Sequence, residues 1–165
     1  MAMRNTATRS RGFALLIAVV FMSVMLAIGL ALGSLSYKQQ VLASSATQSQ
    51  YAFYAADAGL ECALYADQQQ NFFAYPPTEP ASAPAITCNN SAPDSASFSY
   101  TPGQLIVFNR LPLDLGRRCA DITVYKPKNG AEATYIFSQG YDVPCDTVSS
   151  PDGARFVARG INIRY

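Results

Sequence analysis

Four cysteines are the residues of this sequence most able to do covalent chemistry: Cys62, Cys88, Cys119 and Cys145. None lies in a C-x-x-C pair, and the sequence has no His to complete a zinc site. An even number of cysteines in a small exported domain predicts two disulfides, with four buried free thiols as the alternative. Of the three possible pairings, the equal separations of 26 residues favour Cys62–Cys88 and Cys119–Cys145.

Residues for other chemistries are scattered. Serines are frequent but have no His base, and no G-x-G-x-x-G phosphate loop occurs. Asp142, Asp146 and Asp152 offer hard oxygen ligands, but their spacing fits no known calcium loop. The net charge is only +1, and without Arg4, Arg9 and Arg11 nine basic residues face eleven acidic ones, which argues against nucleic-acid binding. We therefore expect no enzyme activity, no metal and no cofactor.

The positioning elements begin with a basic leader, residues 1–12, and an apolar run over residues 13–36. No charged residue lies between Arg11 and Lys38, a stretch longer than the ~20 residues that cross a bilayer. Arginines before the run and a lone lysine after it predict a cytoplasmic N-terminus and an exported C-terminal part.

Three fates compete for this run. A secretory signal peptide has a shorter apolar region, although Ala31-Leu32-Gly33 is a tolerable cleavage site. An uncleaved anchor is the second fate. The third is cleavage at the start of the run, between Gly12 and Phe13, where glycine gives a protease a backbone without a Cβ atom.

Gly12-Phe13 followed by an unbroken apolar helix resembles the signal of type IV pilins and pseudopilins. That resemblance implies cleavage after Gly12 by a prepilin peptidase and N-methylation of Phe13. The family usually carries Glu at the fifth mature position, but here that position is Ile17. A missing carboxylate leaves a neighbour's N-terminal ammonium unpaired in an apolar filament core, which is costly. The departure thus suggests a tip, initiating or rare subunit, unless the Glu is simply dispensable.

Residues 37–70 contain no proline, so the helix is expected to continue to about Asp67. A stripe of small residues marks the face for close packing: Ala52, Ala55, Ala56, Gly59, Ala63 and Ala66. Asp57 and Glu61 repel at i, i+4 and either have a basic partner or are solvated. Ala55, Ala58, Gly59 and Glu61 resemble the A-x-x-A-G-x-E motif of PilX-like minor pilins.

Residues 71–103 are rich in Pro and Ser and read as a variable loop, which a Cys62–Cys88 bridge would pin to the helix. Residues 104–165 predict an antiparallel β-sheet head. The expected strands are Gln104–Arg110, Cys119–Lys126, Thr134–Gly140 and Arg155–Tyr165. Asn129-Gly130 signals a hairpin between the second and third strands, and Gly160 a bulge or close approach.

The expected fold class is α+β: a long N-terminal helix, membrane-spanning in its first half, packed against a small sheet. The pilin resemblance implies a structural subunit of a type IV pilus or pseudopilus. Its partners would be other pilin-like subunits, the prepilin peptidase, the inner-membrane assembly platform and membrane lipid before assembly. It would start in the inner membrane and move to a filament in the periplasm or outside the cell. The alternative is a membrane-anchored adhesive module that does not polymerise.

Overall fold

The computed structural model describes residues 11–88, 90–128 and 133–165. The chain divides into two compact units, one up to Ser44 and one from Ser45 to Tyr165, which are described separately. Helix α1, Arg11–Gln68, contributes to both. It contains no proline and ends just before Asn71, which has a φ of 51°. The N–H of Phe72 donates to the carbonyl of Ala66 at 2.9 Å, so the chain turns away from the helix there.

The first unit consists of the apolar part of α1. Every large apolar side chain between Phe13 and Leu35 is 50% to 73% exposed. This helix is long and apolar enough to cross a membrane. None of the described residues of this unit buries these side chains, which leaves a continuous exposed apolar surface. The leader residues 1–10 lie outside the described residues.

The second unit, Ser45–Tyr165, is called the head from here on. It packs the rest of α1 on a five-stranded antiparallel sheet with strands in chain order. The elements after α1 are β1 (Ser95–Thr101), β2 (Gln104–Leu113), β3 (Arg118–Pro127), β4 (Tyr135–Tyr141), a short helix α2 (Cys145–Ser149) and β5 (Ala158–Arg164). The α+β class and the helix-on-sheet layout are therefore confirmed. Asn129-Gly130, the expected hairpin, lies outside the described residues, between β3 and β4.

Two elements differ from the sequence expectation. Strand β1 lies within residues 71–103, which were expected to be loop throughout, so the sheet has five strands rather than four. Its composition is loop-like, but Phe98 and Tyr100 alternate with serines and reach the core while the serines stay exposed.

The short helix α2 was not expected either. Gly160 forms no bulge, because its pairing with Gln139 is in continuous register; it makes a close approach to the ring of Phe137.

The helix–sheet interface is made by the stripe of small residues. Ala52, Ala55, Ala56, Gly59, Ala63 and Ala66 are all buried, as expected. The facing sheet residues that are fully buried include Val107, Leu111, Ile122, Val124 and Ile136. Gly140 of β4 lies directly against the helix backbone: a Cβ atom there would stand 2.8 Å from the carbonyl carbon of Ala55 and closer still to the backbone of Ala52 and Ala56.

Two polar networks hold the sheet together. Asp67, buried at the end of α1, accepts two hydrogen bonds from Lys126 Nζ at 2.8 and 2.7 Å and one from the hydroxyl of Tyr165 at 2.6 Å. On the opposite face of the sheet, Arg110 forms a two-pronged ion pair with Asp121 at 2.6 and 2.7 Å. Buried charges need such complete pairing to be tolerated.

The second network continues to other elements. Arg110 also donates to Ser149 of α2 at 2.8 Å, and the hydroxyl of Tyr141 donates to Asp121 at 3.2 Å. Burial, reinforced by the neighbouring carboxylate, raises the pKa of Tyr141 from 10.0 to about 12. Both effects disfavour the phenolate, so the folded head holds this proton more tightly than the unfolded chain.

Replacing Gly140 with Ala should destabilise the head by about 3 kcal/mol, because the new methyl group overlaps helix backbone that cannot rotate away. The measurement is thermal or denaturant unfolding of the full chain in detergent. Gly103→Ala is the matched control, since a Cβ atom at Gly103 meets nothing within 4 Å. Equal stability of the two variants would contradict the close helix–sheet contact.

The head should lose stability as pH rises from 10.0 towards about 12, because over that range Tyr141 gives up its proton in the unfolded chain before the folded one. The Tyr141→Phe variant should lose less free energy of unfolding between pH 8 and pH 12 than the parent protein does. Unfolding measured at several pH values checks the slope. If stability depends on pH equally in the two proteins, the pKa of Tyr141 is the same in the folded and unfolded chains.

Candidate functional site

The expected processing junction lies at the start of α1. Gly12 and Phe13 are both helical, and Phe13 is exposed. A Cβ atom at Gly12 would meet no described atom within 4 Å, so packing against the described residues does not explain the glycine. Ile17 is exposed as well. The junction therefore presents a glycine without a packing role immediately before an open apolar surface.

The motif residues of α1 divide between two faces. Ala55 and Gly59 are buried against the sheet, where a Cβ atom at Gly59 would stand 2.8 Å from Ser138 Oγ and 3.0 Å from Ala120 Cβ. Ala58 and Glu61 are exposed. The first pair is thus explained by packing, whereas the second pair faces outward and needs another explanation.

Ala58 and Glu61 belong to a groove beside α1 with a volume of about 660 Å³. We call it the α1 groove. Its walls come from one helix face, from the loop around Cys88 and from the β2–β3 hairpin: Tyr54, Ala55, Ala58, Glu61, Cys62, Tyr65, Thr87, Cys88, Leu113, Asp114 and Arg118. Tyr54 and Tyr65 are 63% and 60% exposed, so the groove has aromatic walls open to solvent.

Among the charged residues that line this groove, Glu61 is the one without an ion pair to a described residue. Neither Glu61 nor its neighbour Asp57 has an ion pair with a residue of the described ranges, so no basic partner is found in that part of the head. Glu61 is exposed and Asp57 is half-buried. Asp114, by contrast, is paired with Arg117 at 2.9 Å and with Arg118. The groove therefore offers one uncompensated carboxylate among apolar and aromatic side chains.

Arg118 also lines the groove. Its guanidinium lies 3.9 Å from the ring centre of Tyr51 and bonds to Asp114. Such stacking of a cation on an aromatic face adds to the ion pair. Sequence reasoning missed Arg118 and Asp114, because only the hairpin register brings them to the helix. Ala58 and Glu61 were singled out by the motif, whereas Tyr54 and Tyr65 were not. The two tyrosines could have been found, since the four residues follow a helical repeat of i, i+4, i+7 and i+11.

Disulfides fix the groove and the opposite face of the sheet. Cys62–Cys88 joins α1 to the loop, and Cys119–Cys145 joins β3 to α2; these are the pairs that the equal separations favoured. Buried Asn109 adds a second tie to the loop, accepting from Ile86 N at 3.1 Å and donating to the Pro84 carbonyl at 3.0 Å. The loop wall of the groove is thus held at two points.

The three aspartates considered as calcium ligands serve local structure instead. Asp142 accepts from Val157 N at 2.7 Å, Asp146 accepts from Thr147 N at 3.0 Å, and Asp152 sits in a turn with a φ of 37°. Within residues 11–88, 90–128 and 133–165, no group of three or more His, Cys, Asp or Glu side chains could hold a metal ion.

Removing the Cys62–Cys88 bridge by a double Cys→Ser substitution should cost about 3 kcal/mol, because it releases a loop of this length in the unfolded chain. Cleavage by proteinase K should then appear within residues 71–94. The Cys119–Cys145 double variant is the matched control, since its sequence separation is the same, 26 residues. It should lose similar stability without exposing that loop. Cleavage of residues 71–94 in both variants alike would show that the first bridge does not hold the loop.

Comparison of the chain with family models, curated proteins and solved structures finds no match. The candidate site is accordingly defined by its own chemistry: an exposed apolar helix behind a glycine junction, and a groove with aromatic walls and one free carboxylate.

Proposed function

We propose that this chain is a structural, non-enzymatic subunit of a type IV pilus or a related pseudopilus. In this proposal a prepilin peptidase cuts between Gly12 and Phe13, and the apolar helix holds the protein first in the inner membrane and then in the filament core. The head, from Ser45 onward, faces the periplasm or the cell exterior. Other pilin-like subunits and the inner-membrane assembly platform are the partners that this role requires.

One observation carries the proposal: the apolar part of α1 begins directly after Gly12, and no described residue of its own unit covers it. Side chains 50% to 73% exposed from Phe13 to Leu35 must be shielded by lipid or by equivalent helices. A signal peptide would be cleaved off and lost. Helix α1, by contrast, continues without interruption to Gln68, and its final turns are part of the folded head. Retaining the helix gives the head a stalk as well as an anchor.

Ile17 supports a special position in the filament. In the proposed packing, a carboxylate at the fifth mature position neutralises the N-terminal ammonium of the neighbouring subunit. Ile17 cannot do so, and an unpaired charge in an apolar core is costly. A subunit that starts the filament or caps its tip has no earlier neighbour to neutralise, so Ile17 costs nothing there.

The mature protein should begin with N-methylated Phe13. Mass spectrometry of the N-terminal peptide of protein purified from membranes and sheared filaments checks this. Gly12→Val should block cleavage, because a branched side chain restricts the backbone that the peptidase must hold extended. Gly33→Val is the control and should be processed normally. An intact Met1 or cleavage near Gly33 would contradict the proposal and favour a membrane-anchored adhesive module or a secreted head.

Ile17→Glu should raise the amount of this protein per filament, because the new carboxylate lets the subunit follow another one along the shaft. Ile17→Gln is the control, because glutamine has nearly the shape of glutamate but no charge. This variant should be incorporated like the parent protein. Immunogold labelling and filament counts give the measurement. Unchanged incorporation and filament number in Ile17→Glu would show that the position does not decide where the subunit sits.

A further inference from the structure

The hairpin between β2 and β3 carries a residue that its backbone disfavours. Asp114 and Leu115 have φ values of 51° and 57°, and Gly116 N donates to the Leu113 carbonyl at 3.0 Å. Positive φ at both central residues with this hydrogen bond is the pattern of a type I′ turn. The first of these positions suits Asp, but the second strongly prefers Gly. A leucine there is an outlier.

No packing contact of Leu115 within the described structure compensates for this backbone strain. Its side chain is 96% exposed, the highest value among the exposed large apolar side chains. Gly116 stands one position too late to relieve it and adopts a φ of 83° itself. A strained and solvated leucine is disfavoured twice, by backbone conformation and by hydration of its apolar surface. Both costs would be offset if the side chain were buried in a partner.

The turn is held in place despite the strain. The carboxylate of Asp114 bonds to Arg117 Nη2 at 2.9 Å and to Arg118, and its carbonyl accepts from Arg117 N at 3.2 Å. Arg118 in turn stacks on Tyr51 of α1. These contacts fix the turn that carries the leucine, so binding would cost little further conformational entropy of the turn.

We propose that Leu115 is an anchor that inserts into the α1 groove of a second copy of this chain. Apolar and aromatic side chains make up most of the groove lining, and at about 660 Å³ the groove is far larger than a leucine side chain. Arg117 accompanies the leucine: its guanidinium bonds to Asp114 through Nη2, and its side chain is still 71% exposed, so it can reach a second carboxylate. Glu61 in the groove has no ion pair with a described residue. An apolar anchor beside a cation thus meets an apolar groove beside a carboxylate.

The anchor and the groove are neighbours on the head, since Asp114 lines the groove and precedes Leu115. Leu115 is too exposed to fill the groove of its own copy. Two heads related by a two-fold axis can each place Leu115 in the groove of the other, because adjacent complementary features make a surface self-complementary. The pair is therefore closed at two copies. It does not depend on cleavage at Gly12 or on filament assembly.

Photo-crosslinking of the full chain in the membranes of producing cells tests this contact. Two copies with different epitope tags are co-expressed, with a photoreactive phenylalanine in place of Leu115. A covalent dimer carrying both tags, with the adduct mapped to residues 54–65, is expected. The same probe at Gly103, in the exposed β1–β2 turn, is the control and should give no such dimer. Absence of the dimer, adducts only with other proteins or lipid, or a ladder of larger species would overturn the proposal.

A second measurement separates binding from folding. With the photoreactive residue at Ala58, Leu115→Gly should reduce dimer crosslinking at least tenfold, while its unfolding temperature stays equal or rises because glycine relieves the turn. Glu61→Gln should also weaken the crosslink, and Asp57→Asn, an acid of the same helix that does not line the groove, should not. Unchanged crosslinking in Leu115→Gly would overturn the proposal, whatever the N-terminus of the mature protein proves to be.

Discussion

The close contact between α1 and strand β4 is the constraint on which the head depends. Gly140 touches the helix backbone around Ala55, and Gly59 touches Ala120 and Ser138 of the sheet, so each element supplies a position without a side chain where the other approaches. This contact fixes the height of the helix over the sheet. The larger core residues, such as Ile122 and Val124, then fill the space between the helix and the sheet.

Fixing the helix in this way determines where the polar groups must go. Asp67 is carried into the interior by the end of α1 and is tolerated because Lys126 and Tyr165 meet it there. Asn109 is buried on β2 and satisfies the loop backbone at Ile86 and Pro84. On the helix face turned away from the sheet, the same geometry leaves Ala58, Glu61 and the two tyrosines on the surface. The helix–sheet packing therefore leaves the groove open at the surface, where a partner can bind.

The long helix, its small-residue stripe and the later strands could be predicted because each has a local periodicity. Ile122 and Val124, and likewise Ile161 and Ile163, lie on one face as their alternation indicated. Strand β1 could not be predicted by composition, which its serines dominate, although its alternation was present. The Asp67–Lys126 pair and the placing of Arg118 on Tyr51 depend on sheet register across long sequence separations. The turn at Leu115 lacks the Asn-Gly or Asp-Gly signature, so no local rule identified it.

The two disulfides join consecutive cysteines, and their loops neither overlap nor nest. A chain delivered across a membrane from its N-terminal side presents Cys62 and Cys88 to an oxidising compartment before Cys119 arrives. Oxidation in order of emergence then yields the native pairs at the first attempt. For the exported head proposed above, this order of pairing would need a thiol oxidase but no disulfide isomerase, in contrast to chains whose bridges link non-consecutive cysteines.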